Sequence, residues 1–323
     1  MKKVNEMTVA VAIALYNGEK YIVEQLETLR NQTKAIDQLI LCDDGSKDNT
    51  REIVASYIKK YNLEDKWELV LNESNLGFIK NFYKALSLCN QDLIFLADQD
   101  DVWELEKIEK MVKIMEENDT INLLSCEYGI IDANGETISS FMERGKQSDE
   151  QIASMSVVDI LKAWNRPGMT MCVRKSFFDR IYPSIKDVAV PHDYALAICA
   201  ADIDSFYVYN YIGAYHRRHN NNAAREEHRI FKLLNLERKK RDIKEWIDYV
   251  TSLVSAHMPI SESAYALIEQ KQTYLHKRLD ILENRKLFAI FSLIKEDKLG
   301  LYRKVAIICD IWIVCFGKYK NRE

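Results

Sequence analysis

The sequence predicts an α/β protein with a mostly parallel sheet, followed by a C-terminal α-helical region. Short apolar segments alternate four times with amphipathic helical segments between residues 8 and 118, a pattern typical of parallel strands joined by right-handed crossovers. Polar residues end each apolar segment. After Ala223, Gly and Pro nearly vanish and helical periodicity continues. We therefore divide the chain into residues 1–222 and residues 223–323.

The composition is that of an ordinary soluble protein. The 323 residues are 47% hydrophobic and 29% charged, and the net charge of −4 gives no support to nucleic-acid binding. Seven cysteines without a CxxC pair indicate free thiols in a reducing compartment and argue against zinc. The polar start of the chain does not have the pattern of a signal peptide, and no apolar segment reaches the ~18 residues of a membrane span. We expect a cytoplasmic protein, or one attached peripherally to the inner face of the cell membrane.

Four strands, each followed by a helix, are predicted in the first 118 residues. The predicted strands are 8–15, 38–42, 67–71 and 92–97, and the predicted helices are 19–31, 48–60, 78–88 and 103–118. The strand segments are short and apolar, as buried strands are. Asp48 is a candidate N-cap for the second helix, and Tyr16-Asn17-Gly18 is a turn signal after the first strand.

Polar clusters follow all four predicted strands. They are Tyr16-Asn17, Asp43-Asp44, Asn75 and the tetrad Asp98-Gln99-Asp100-Asp101. Parallel strands end at one edge of the sheet, where open α/β sheets hold ligands. Carboxylates this close raise each other's pKa unless a cation lies among them, and oxygen-rich sites suit Mg²⁺ or Mn²⁺ with substrate phosphates completing the shell. Any single cluster is explained equally well by a solvated turn, but the four together indicate a nucleotide site.

The remaining elements are predicted from weaker patterns. Residues 121–138 predict a hairpin, 141–156 a surface loop, 169–173 a short apolar segment, 192–199 a helix and 206–212 a strand, before the polar segment 216–222. Beyond residue 223, residues 225–255 and 261–285 predict an αα-hairpin joined near Met258-Pro259, and residues 299–316 predict an apolar helix with basic flanks.

Residues 8–222 resemble family 2 glycosyltransferases of the GT-A fold, which is Rossmann-like with a mostly parallel sheet. Motifs in the same order and spacing carry the resemblance. They are Ala14-Leu15-Tyr16-Asn17, Asp43-Asp44-Gly45-Ser46 with Asp48, Asn75-Leu76-Gly77, and the acids Asp98, Asp100 and Asp101. Segments 75–81 and 98–103 further resemble bacterial rhamnosyltransferases, which use dTDP-L-rhamnose to build capsule, O-antigen or cell-wall polysaccharides.

The resemblance implies a set of residues that bind the nucleotide sugar. They are Ala14, Tyr16, Asn17, Glu19, Asp44, Asn75, Lys80, Asp98, Gln99, Arg217 and Arg218. Within this set Tyr16 would stack on the base and Asp44 would accept a hydrogen bond from the pyrimidine N3–H. Asp98 would approach the ribose, and Lys80 would reach a phosphate. An ordinary turn aromatic and a helix-surface lysine are the alternatives for Tyr16 and Lys80. Ala14 departs from the small hydroxyl residue often found at this position in the family.

The resemblance also implies a divalent metal, Mg²⁺ or Mn²⁺, and a catalytic base. The metal ligands are expected among Asp100, Asp101 and His219, and which of the two acids lies closer to the metal is open. Arg217 or Arg218 would hold the diphosphate through charge-assisted hydrogen bonds. The pair His192-Asp193 matches the family's base position, so Asp193 would take the proton from the acceptor hydroxyl as it attacks the anomeric carbon. The alternative for Asp193 is a helix cap.

We therefore expect an inverting, metal-dependent glycosyltransferase that moves one sugar, L-rhamnose from dTDP-L-rhamnose, to a bacterial polysaccharide or lipid-linked glycan. The alternatives are a UDP-hexose or UDP-GlcNAc-dependent transferase, a sugar nucleotidyltransferase, and a non-catalytic nucleotide-sugar-binding protein. The segment Tyr16-Asn17-Gly18-Glu19 lacks the Gly-rich, basic loop of nucleotidyltransferases, and intact Asp98, Asp100 and Asp193 argue against a non-catalytic protein. No Gln-x-x-Arg-Trp segment of processive synthases is present, so a single transfer is expected.

The end of the C-terminal helical region has a net positive charge. Residues 285–323 contain nine Lys and Arg residues and four acidic residues. Basic residues beside Trp and aliphatic side chains favour anionic lipid surfaces, so residues 299–320 are expected to contact a membrane from the cytoplasmic side. The alternative is that the last helix packs on the αα-hairpin, or on a second subunit in a homodimer.

Overall fold

The computed structural model describes residues 6–138, 149–219 and 234–317. The chain divides into two compact units. The first consists of Met1–Met155, Asn165–Asp187 and Pro191–Asn222, and the second of Ser156–Trp164, Val188–Val190 and Ala223–Glu323. The predicted boundary at residue 222 did not anticipate that two short segments before it belong to the second unit.

A sheet of nine strands forms the centre of the first unit. The strands are β1 (Val9–Leu15), β2 (Gln38–Asp43), β3 (Trp67–Leu71), β4 (Leu93–Ala97), β5 (Val102–Trp103), β6 (Leu123–Ile131), β7 (Ile152–Ser154), β8 (Met171–Arg174) and β9 (Phe206–Arg217). Their order is β3-β2-β1-β4-β8-β6-β9-β5, with β7 also paired to β9. The first four strands are parallel neighbours, and β8 runs antiparallel between β4 and β6. The α/β fold class with a mostly parallel sheet is confirmed.

Eleven helices are present in the described residues. They are α1 (Ile22–Arg30), α2 (Thr50–Lys60), α3 (Phe78–Leu88), α4 (Lys107–Glu117), α5 (Val157–Lys162), α6 (Lys175–Ile185), α7 (His192–Asp202), α8 (Leu236–Ser255), α9 (Glu262–Glu283), α10 (Leu287–Glu296) and α11 (Lys304–Phe316). Helix α3 packs on β1 and β2. Strand β4 is buried along its whole length, as expected of a central strand covered on both faces.

Three predicted elements of the first unit differ in the structure. The helix predicted over 103–118 begins at Lys107, because Val102–Trp103 pairs antiparallel with β9. The hairpin predicted over 121–138 is present only at its end, where Ile131 of the long strand β6 forms an antiparallel bridge with Thr137 across a turn that Gly135 closes with φ of 86°. The strand predicted over 206–212 continues to Arg217, because β6 and β5 both pair with its second half.

The loop predicted over 141–156 contains strand β7, and residues 141–148 lie outside the described residues. The αα-hairpin is present as α8 and α9, which pack on each other around the predicted connection at Met258-Pro259. Residues 225–233 of the predicted first helix lie outside the described residues.

The helix predicted over 299–316 begins at Lys304, and α10 precedes it. Between α10 and α11, the Asp297 carboxylate accepts hydrogen bonds from the N–H groups of Leu301 (2.9 Å) and Tyr302 (2.6 Å), while Gly300 has φ of 68°. These contacts turn the chain between the two helices. Among the described residues, no helix combines the length and the apolar character that crossing a membrane requires.

A buried ionic cluster holds the helices of the second unit together. Asp310 of α11 accepts hydrogen bonds from Arg278 of α9 (2.7 Å) and from the Tyr302 hydroxyl (2.6 Å), and Lys239 of α8 lies 2.6 Å away. Burial alone would raise the pKa of Asp310, but the two cations outweigh it and hold this pKa below its usual range. Asp310 is therefore a structural residue of this unit.

Candidate functional site

The carboxyl ends of β1, β2 and β4 lie side by side at one edge of the sheet. Leu15 of β1 pairs with Asp43 of β2, and Ile13 of β1 pairs with Ala97 of β4. The polar residues that follow these strands therefore meet at this edge, as the sequence predicted.

The loop after β1 is fastened to the loop after β2 by two of the predicted site residues. The Asn17 side chain accepts a hydrogen bond from the Lys47 N–H (2.8 Å). The Glu19 carboxylate accepts bonds from the Asn49 N–H (3.0 Å) and side-chain amide (2.8 Å). Asn17 and Glu19 therefore hold the two loops together. The Tyr16 ring is 48% exposed at the edge of the sheet.

Gln99 holds the other side of the same loop. Its amide accepts a hydrogen bond from the Tyr16 N–H (3.0 Å) and donates one to the Tyr16 carbonyl (3.0 Å). A Cβ at position 18 would collide with the side-chain amide of Gln99, so a larger residue there would displace Gln99 from its bonds to Tyr16. Gln99 thus fixes the backbone that presents Tyr16.

Both acids of the β2 turn accept several hydrogen bonds. Asp43 is fully buried and accepts from the N–H groups of Gly45 and Ser46 (both 3.1 Å), from the Ser46 hydroxyl and from Arg51 Nε (2.5 Å).

The neighbouring Asp44 is 3% exposed. It accepts from Asn72 Nδ2 (2.9 Å), the Leu76 N–H (2.7 Å) and the Gly77 N–H (2.8 Å). Asn75 donates to the Asp44 carbonyl (2.8 Å). The turn after β2 is therefore joined to the loop before α3 through the carboxylate and the carbonyl of Asp44.

Two further predicted residues lie near these loops. Ala14 is half-buried within β1, one residue before the strand's end. Lys80 lies in the first turn of α3, is exposed, and has no ion-pair partner among the described residues.

The carboxylates of Asp98 and Asp100, which follow β4, accept fewer hydrogen bonds than those of the β2 turn. The half-buried Asp98 carboxylate accepts no hydrogen bond from any described residue. Burial and the neighbouring charges of Asp101 and Asp100 hold the pKa of Asp98 well above its ordinary value. The pKa of Asp100 is raised by burial and by Asp101, and is lowered in part by its contact with His219, whose Nε2 lies 2.7 Å from Asp100 Oδ2.

Asp101 lies in the interior, in contrast to Asp98 and Asp100. Its Oδ1 accepts a hydrogen bond from the Arg217 N–H (3.0 Å) and lies 3.1 Å from His216 Nδ1. Burial lowers the pKa of His216, but the bond to Asp101 and the surrounding carboxylates outweigh it and raise this pKa to about 9. Asp101 therefore fastens the end of β9 to the tetrad, and only Asp98 and Asp100 reach the open edge.

The two arginines predicted to hold the diphosphate occupy different places. Arg217 is 1% exposed and donates to the Asp100 carbonyl (2.9 Å) and to Glu24 Oε2 (2.6 Å). Its guanidinium is therefore fixed inside the protein. Arg218 is half-buried, and its N–H bonds the Ile131 carbonyl (2.8 Å). The last three residues of the predicted polar segment, 220–222, lie outside the described residues.

Asp193 lies at the start of α7, directly after the buried His192. Burial raises the pKa of Asp193 to about 6, opposed by the Tyr194 N–H, which donates to it at 2.8 Å. The charge of Asp193 also raises the pKa of Asp98, so the two carboxylates lie close enough to interact. A half-buried carboxyl with a raised pKa is what a general base needs.

His192 is a packing residue in an aromatic cluster. Its ring stacks on Phe82 with a centroid distance of 3.9 Å, and burial lowers its pKa to about 3, so it is neutral. A Cβ at position 168 would lie 2.8 Å from His192 Nε2, so Gly168 is needed for this close packing. The cluster fixes the start of α7 and hence the position of Asp193.

Lys107 is a buried residue near the site that the sequence did not single out. Its ammonium donates to the Met169 carbonyl (2.6 Å) and lies 3.1 Å from the centroid of the Trp103 ring. Burial lowers its pKa to about 7. Met169 belongs to the same turn as Gly168, so Lys107 supports the segment that packs on His192. In the sequence, Lys107 has the spacing of an ordinary helix-surface lysine.

Comparison with known proteins now decides the family, because the sequence profile of Glycosyl transferase family 2 matches residues 10–180, more than half of the chain. The protein belongs to this family. An uncharacterized glycosyltransferase of Nostoc is 24% identical over 178 residues, which are 55% of this chain and 54% of that protein. One from Methanocaldococcus jannaschii is 35% identical over 136 residues, 41% of this chain and 46% of that protein. The chain thus covers about half the length of these relatives.

Solved structures support the GT-A fold of this family 2 glycosyltransferase. TarS from S. aureus, in complex with UDP-GlcNAc, has a TM-score of 0.60 and 16% identity, covering 98% of this chain and 93% of that one. The mannosyltransferase PcManGT from Pyrobaculum calidifontis, in complex with GDP-Man and Mn²⁺, has a TM-score of 0.57 and 14% identity, covering 97% and 88% of the two chains. At these identities the likeness extends to the fold alone.

The donor set of this glycosyltransferase fits a divalent cation that binds together with its substrate. Within residues 6–138, 149–219 and 234–317, no three His, Cys, Asp or Glu side chains form a preformed metal site. Asp100 and His219 offer an oxygen and a nitrogen, and Asp98 adds a carboxylate without a partner. Mg²⁺ commonly takes only one or two protein carboxylates and completes its shell with water and substrate phosphates, so these side chains could supply the protein part of such a shell.

Proposed function

We propose that this family 2 glycosyltransferase is an inverting, metal-dependent enzyme that moves one sugar from a nucleoside-diphosphate sugar to a glycan. The observation that carries the proposal is the state of the acids after β4. The Asp98 carboxylate accepts no hydrogen bond from a described residue, and the Asp100 carboxylate contacts the imidazole of His219. Asp193 adds a third carboxylate nearby, and the cation of His216 compensates these acids only in part, since the pKa values of Asp98 and Asp100 stay raised. Buried charges of one sign persist when a ligand of opposite charge compensates them.

The nucleotide would bind across the loops after β1, β2 and β4. The exposed Tyr16 ring stacks on the base. Asp44 Oδ2 accepts one protein hydrogen bond, from Gly77, and a carboxylate oxygen has a second lone pair for the N3–H of a pyrimidine. Asp98 meets the ribose, while Lys80 and Arg218 approach the diphosphate.

Asp100 and His219 are the residues that would hold Mg²⁺ or Mn²⁺. The cation supplies positive charge against the charge that develops on the departing nucleoside diphosphate. Asp101 and Arg217 contribute indirectly, since both hold the end of β9, and therefore His219, against the tetrad.

Asp193 acts as the base toward the acceptor. Its raised pKa, about 6, leaves it ionised at pH 7 and makes it a stronger base than an ordinary aspartate. The acceptor O–H proton passes to Asp193 as the oxygen forms a bond to the anomeric carbon, and the bond from that carbon to the diphosphate breaks. A single displacement of this kind inverts the anomeric configuration.

We propose dTDP-L-rhamnose as the donor, with a bacterial capsule or cell-wall polysaccharide, or its lipid-linked precursor, as the acceptor. Support comes from the resemblance of segments 75–81 and 98–103 to rhamnosyltransferases. A UDP-hexose or UDP-GlcNAc is the second candidate, favoured by the likeness to TarS, which was solved with UDP-GlcNAc. Both thymine and uracil present the N3–H that Asp44 would recognise.

The test is a donor panel with Mg²⁺, with Mn²⁺ and with EDTA. The panel contains dTDP-L-rhamnose, UDP-glucose, UDP-galactose and UDP-GlcNAc, and nucleoside diphosphate release is measured. We expect metal-dependent release from one donor, with dTDP-L-rhamnose first, and loss of release in Asp193→Asn. Release of nucleoside diphosphate that is unaffected by EDTA would contradict the proposed metal dependence. Release of pyrophosphate from a nucleoside triphosphate and a sugar phosphate would indicate a nucleotidyltransferase instead.

A further inference from the structure

The second unit displays an unusually exposed apolar surface on α10 and α11. In the described residues, the five most exposed large apolar side chains all lie on these two helices. They are Phe288 (85%), Phe316 (69%), Ile308 (67%), Val305 (60%) and Phe291 (57%). Ile294 and Trp312 are exposed on the same helices. Exposed apolar side chains concentrated on two neighbouring helices mark a site of interaction with a protein or a membrane.

Helical spacing places these residues opposite the packed sides of their helices. On α11, Val305, Ile308 and Trp312 follow one another at intervals of three and four residues and share a face, whereas Cys309 and Ile313 are buried. On α10, Phe288 and Phe291 are three residues apart, and Ile290 and Leu293 are buried. Each helix is therefore apolar on two sides, and the interior of the unit covers only one of them.

The charges around this surface are positive and uncompensated. Lys295, Lys298, Arg303 and Lys304 are exposed, and their side chains have no ion-pair partner among the described residues. The acids of α10, α11 and the turn between them are all satisfied within the unit. Glu296 pairs with Lys277 (2.5 Å), Asp297 accepts backbone N–H groups, and Asp310 is buried against Arg278.

We propose that α10 and α11 bind the surface of an anionic lipid bilayer and lie in its interface without crossing it. Apolar side chains that include Phe and Trp, beside free Lys and Arg, suit the boundary between acyl chains and anionic head groups. A second copy of this chain fits less well. A two-fold interface brings the same patch of both copies together, so the four uncompensated cations of each copy would approach those of the other.

Binding of α10 and α11 to a bilayer would place the enzyme at the membrane. If the acceptor is a lipid-linked glycan, binding at the bilayer brings the catalytic unit to the place where that acceptor is found. This consequence rests on the proposed function, but lipid binding itself does not.

The experiment is sedimentation of the full chain with vesicles of phosphatidylcholine alone and of phosphatidylcholine mixed with phosphatidylglycerol. We expect the protein to sediment with the anionic vesicles, and less so at high salt because screening weakens the attraction of its basic residues. The double variants Phe288→Asp/Ile308→Asp and Arg303→Glu/Lys304→Glu are each expected to lower the partition coefficient about tenfold or more.

The matched control is Leu105→Asp, at an apolar residue of the first unit that is 54% exposed. It introduces the same side chain elsewhere and is expected to leave sedimentation unchanged. Circular dichroism and thermal unfolding verify that each variant is folded. Donor hydrolysis in the absence of lipid is expected to match the unmodified protein in all variants, so loss of lipid binding is distinguished from loss of catalysis.

Three results would overturn the proposal. They are no sedimentation of the unmodified protein with anionic vesicles, equal sedimentation of the double variants, and a dimer in light scattering that Phe288→Asp/Ile308→Asp dissociates without any vesicle binding. The last result would assign the surface to a second copy.

Discussion

Two acidic turns at the same edge of the sheet differ in how their carboxylates are satisfied. After β2, Asp43 and Asp44 are buried and accept several hydrogen bonds each from neighbouring donors. After β4, Asp98 has no partner in the described residues, and Asp100 has one, His219. The first turn holds the loops together, whereas the acids of the second turn accept few hydrogen bonds, and His216 compensates their charge only in part.

The difference separates acids that stabilise the fold from acids that await a ligand. A carboxylate with several donors strengthens the native state, and removing it leaves those donors unsatisfied. A carboxylate without donors, beside others of the same charge, weakens the native state until a cation binds. Substitutions at the first turn should therefore lower the stability of the protein. Substitutions at the second turn should raise the stability of the ligand-free protein and lower its activity.

The largest effect is expected at Asp193. Asp193→Asn removes the base and should lower kcat by roughly 10²–10⁴-fold, while the KM for the donor changes little, because Asp193 is assigned to the acceptor. Steady-state kinetics with the identified donor measures both constants. A kcat near that of the unmodified enzyme would remove Asp193 from the mechanism.

Asp100→Asn should lower the transfer rate by roughly 10²–10³-fold, since charge stabilisation of the leaving group is lost. It should also abolish the increase in melting temperature that Mn²⁺ with nucleoside diphosphate gives the unmodified protein. Lys113→Ala, at an exposed lysine in the middle of α4, is the control. An Asp100→Asn protein that still responds to Mn²⁺ would place the metal elsewhere.

Asp43→Ala tests the structural turn. It removes the partner of Arg51 and of three donors in the turn, and should lower the free energy of unfolding by about 3 kcal/mol. Urea unfolding followed by circular dichroism measures the change. A loss well below 1 kcal/mol would mean that the hydrogen bonds of Asp43 contribute little to the native state.

The smallest predicted effect is on the pH profile. Because burial raises the pKa of Asp193 to about 6, the active form is ionised above that pH and is lost as the pH falls through it. The value of kcat/KM should decline about tenfold per pH unit well below the pKa. An ordinary aspartate would keep the rate constant down to about pH 4, so a flat profile from pH 7 to 5 would contradict the raised pKa.

The positions of the four strand ends could be predicted from the sequence, because apolar segments followed by polar clusters are a local pattern. The separate places of Arg217 and Arg218 could not. Successive side chains on a strand point to opposite sides, so the orientation of Arg217 depends on how far β9 extends. That length is set by pairing with Ile130 and Ile131 of β6, a contact between distant parts of the chain.

The same limit explains two other differences. Val102–Trp103 fits a helix by local pattern, but its pairing with β9 makes it a strand. The burial of Lys107 depends on the Met169 carbonyl, 62 residues away in sequence. Both outcomes rest on a tertiary contact that a local pattern does not contain. Helix α10, which the prediction missed, is a different case, because it is followed by a local turn in which Asp297 accepts hydrogen bonds from Leu301 and Tyr302.

The central claim is that the acids after β4 accept few hydrogen bonds from the protein and that they bind a cation together with a diphosphate. The most direct test compares the melting temperatures of Asp98→Asn and Asp44→Asn with that of the unmodified protein, in EDTA and without nucleotide. We predict that Asp98→Asn raises the melting temperature, because it removes a carboxylate that lies beside others of the same charge and accepts no hydrogen bond from a described residue. We predict that Asp44→Asn lowers it, because the Asp44 carboxylate accepts three hydrogen bonds. A lower melting temperature for Asp98→Asn, comparable to that of Asp44→Asn, would contradict the account.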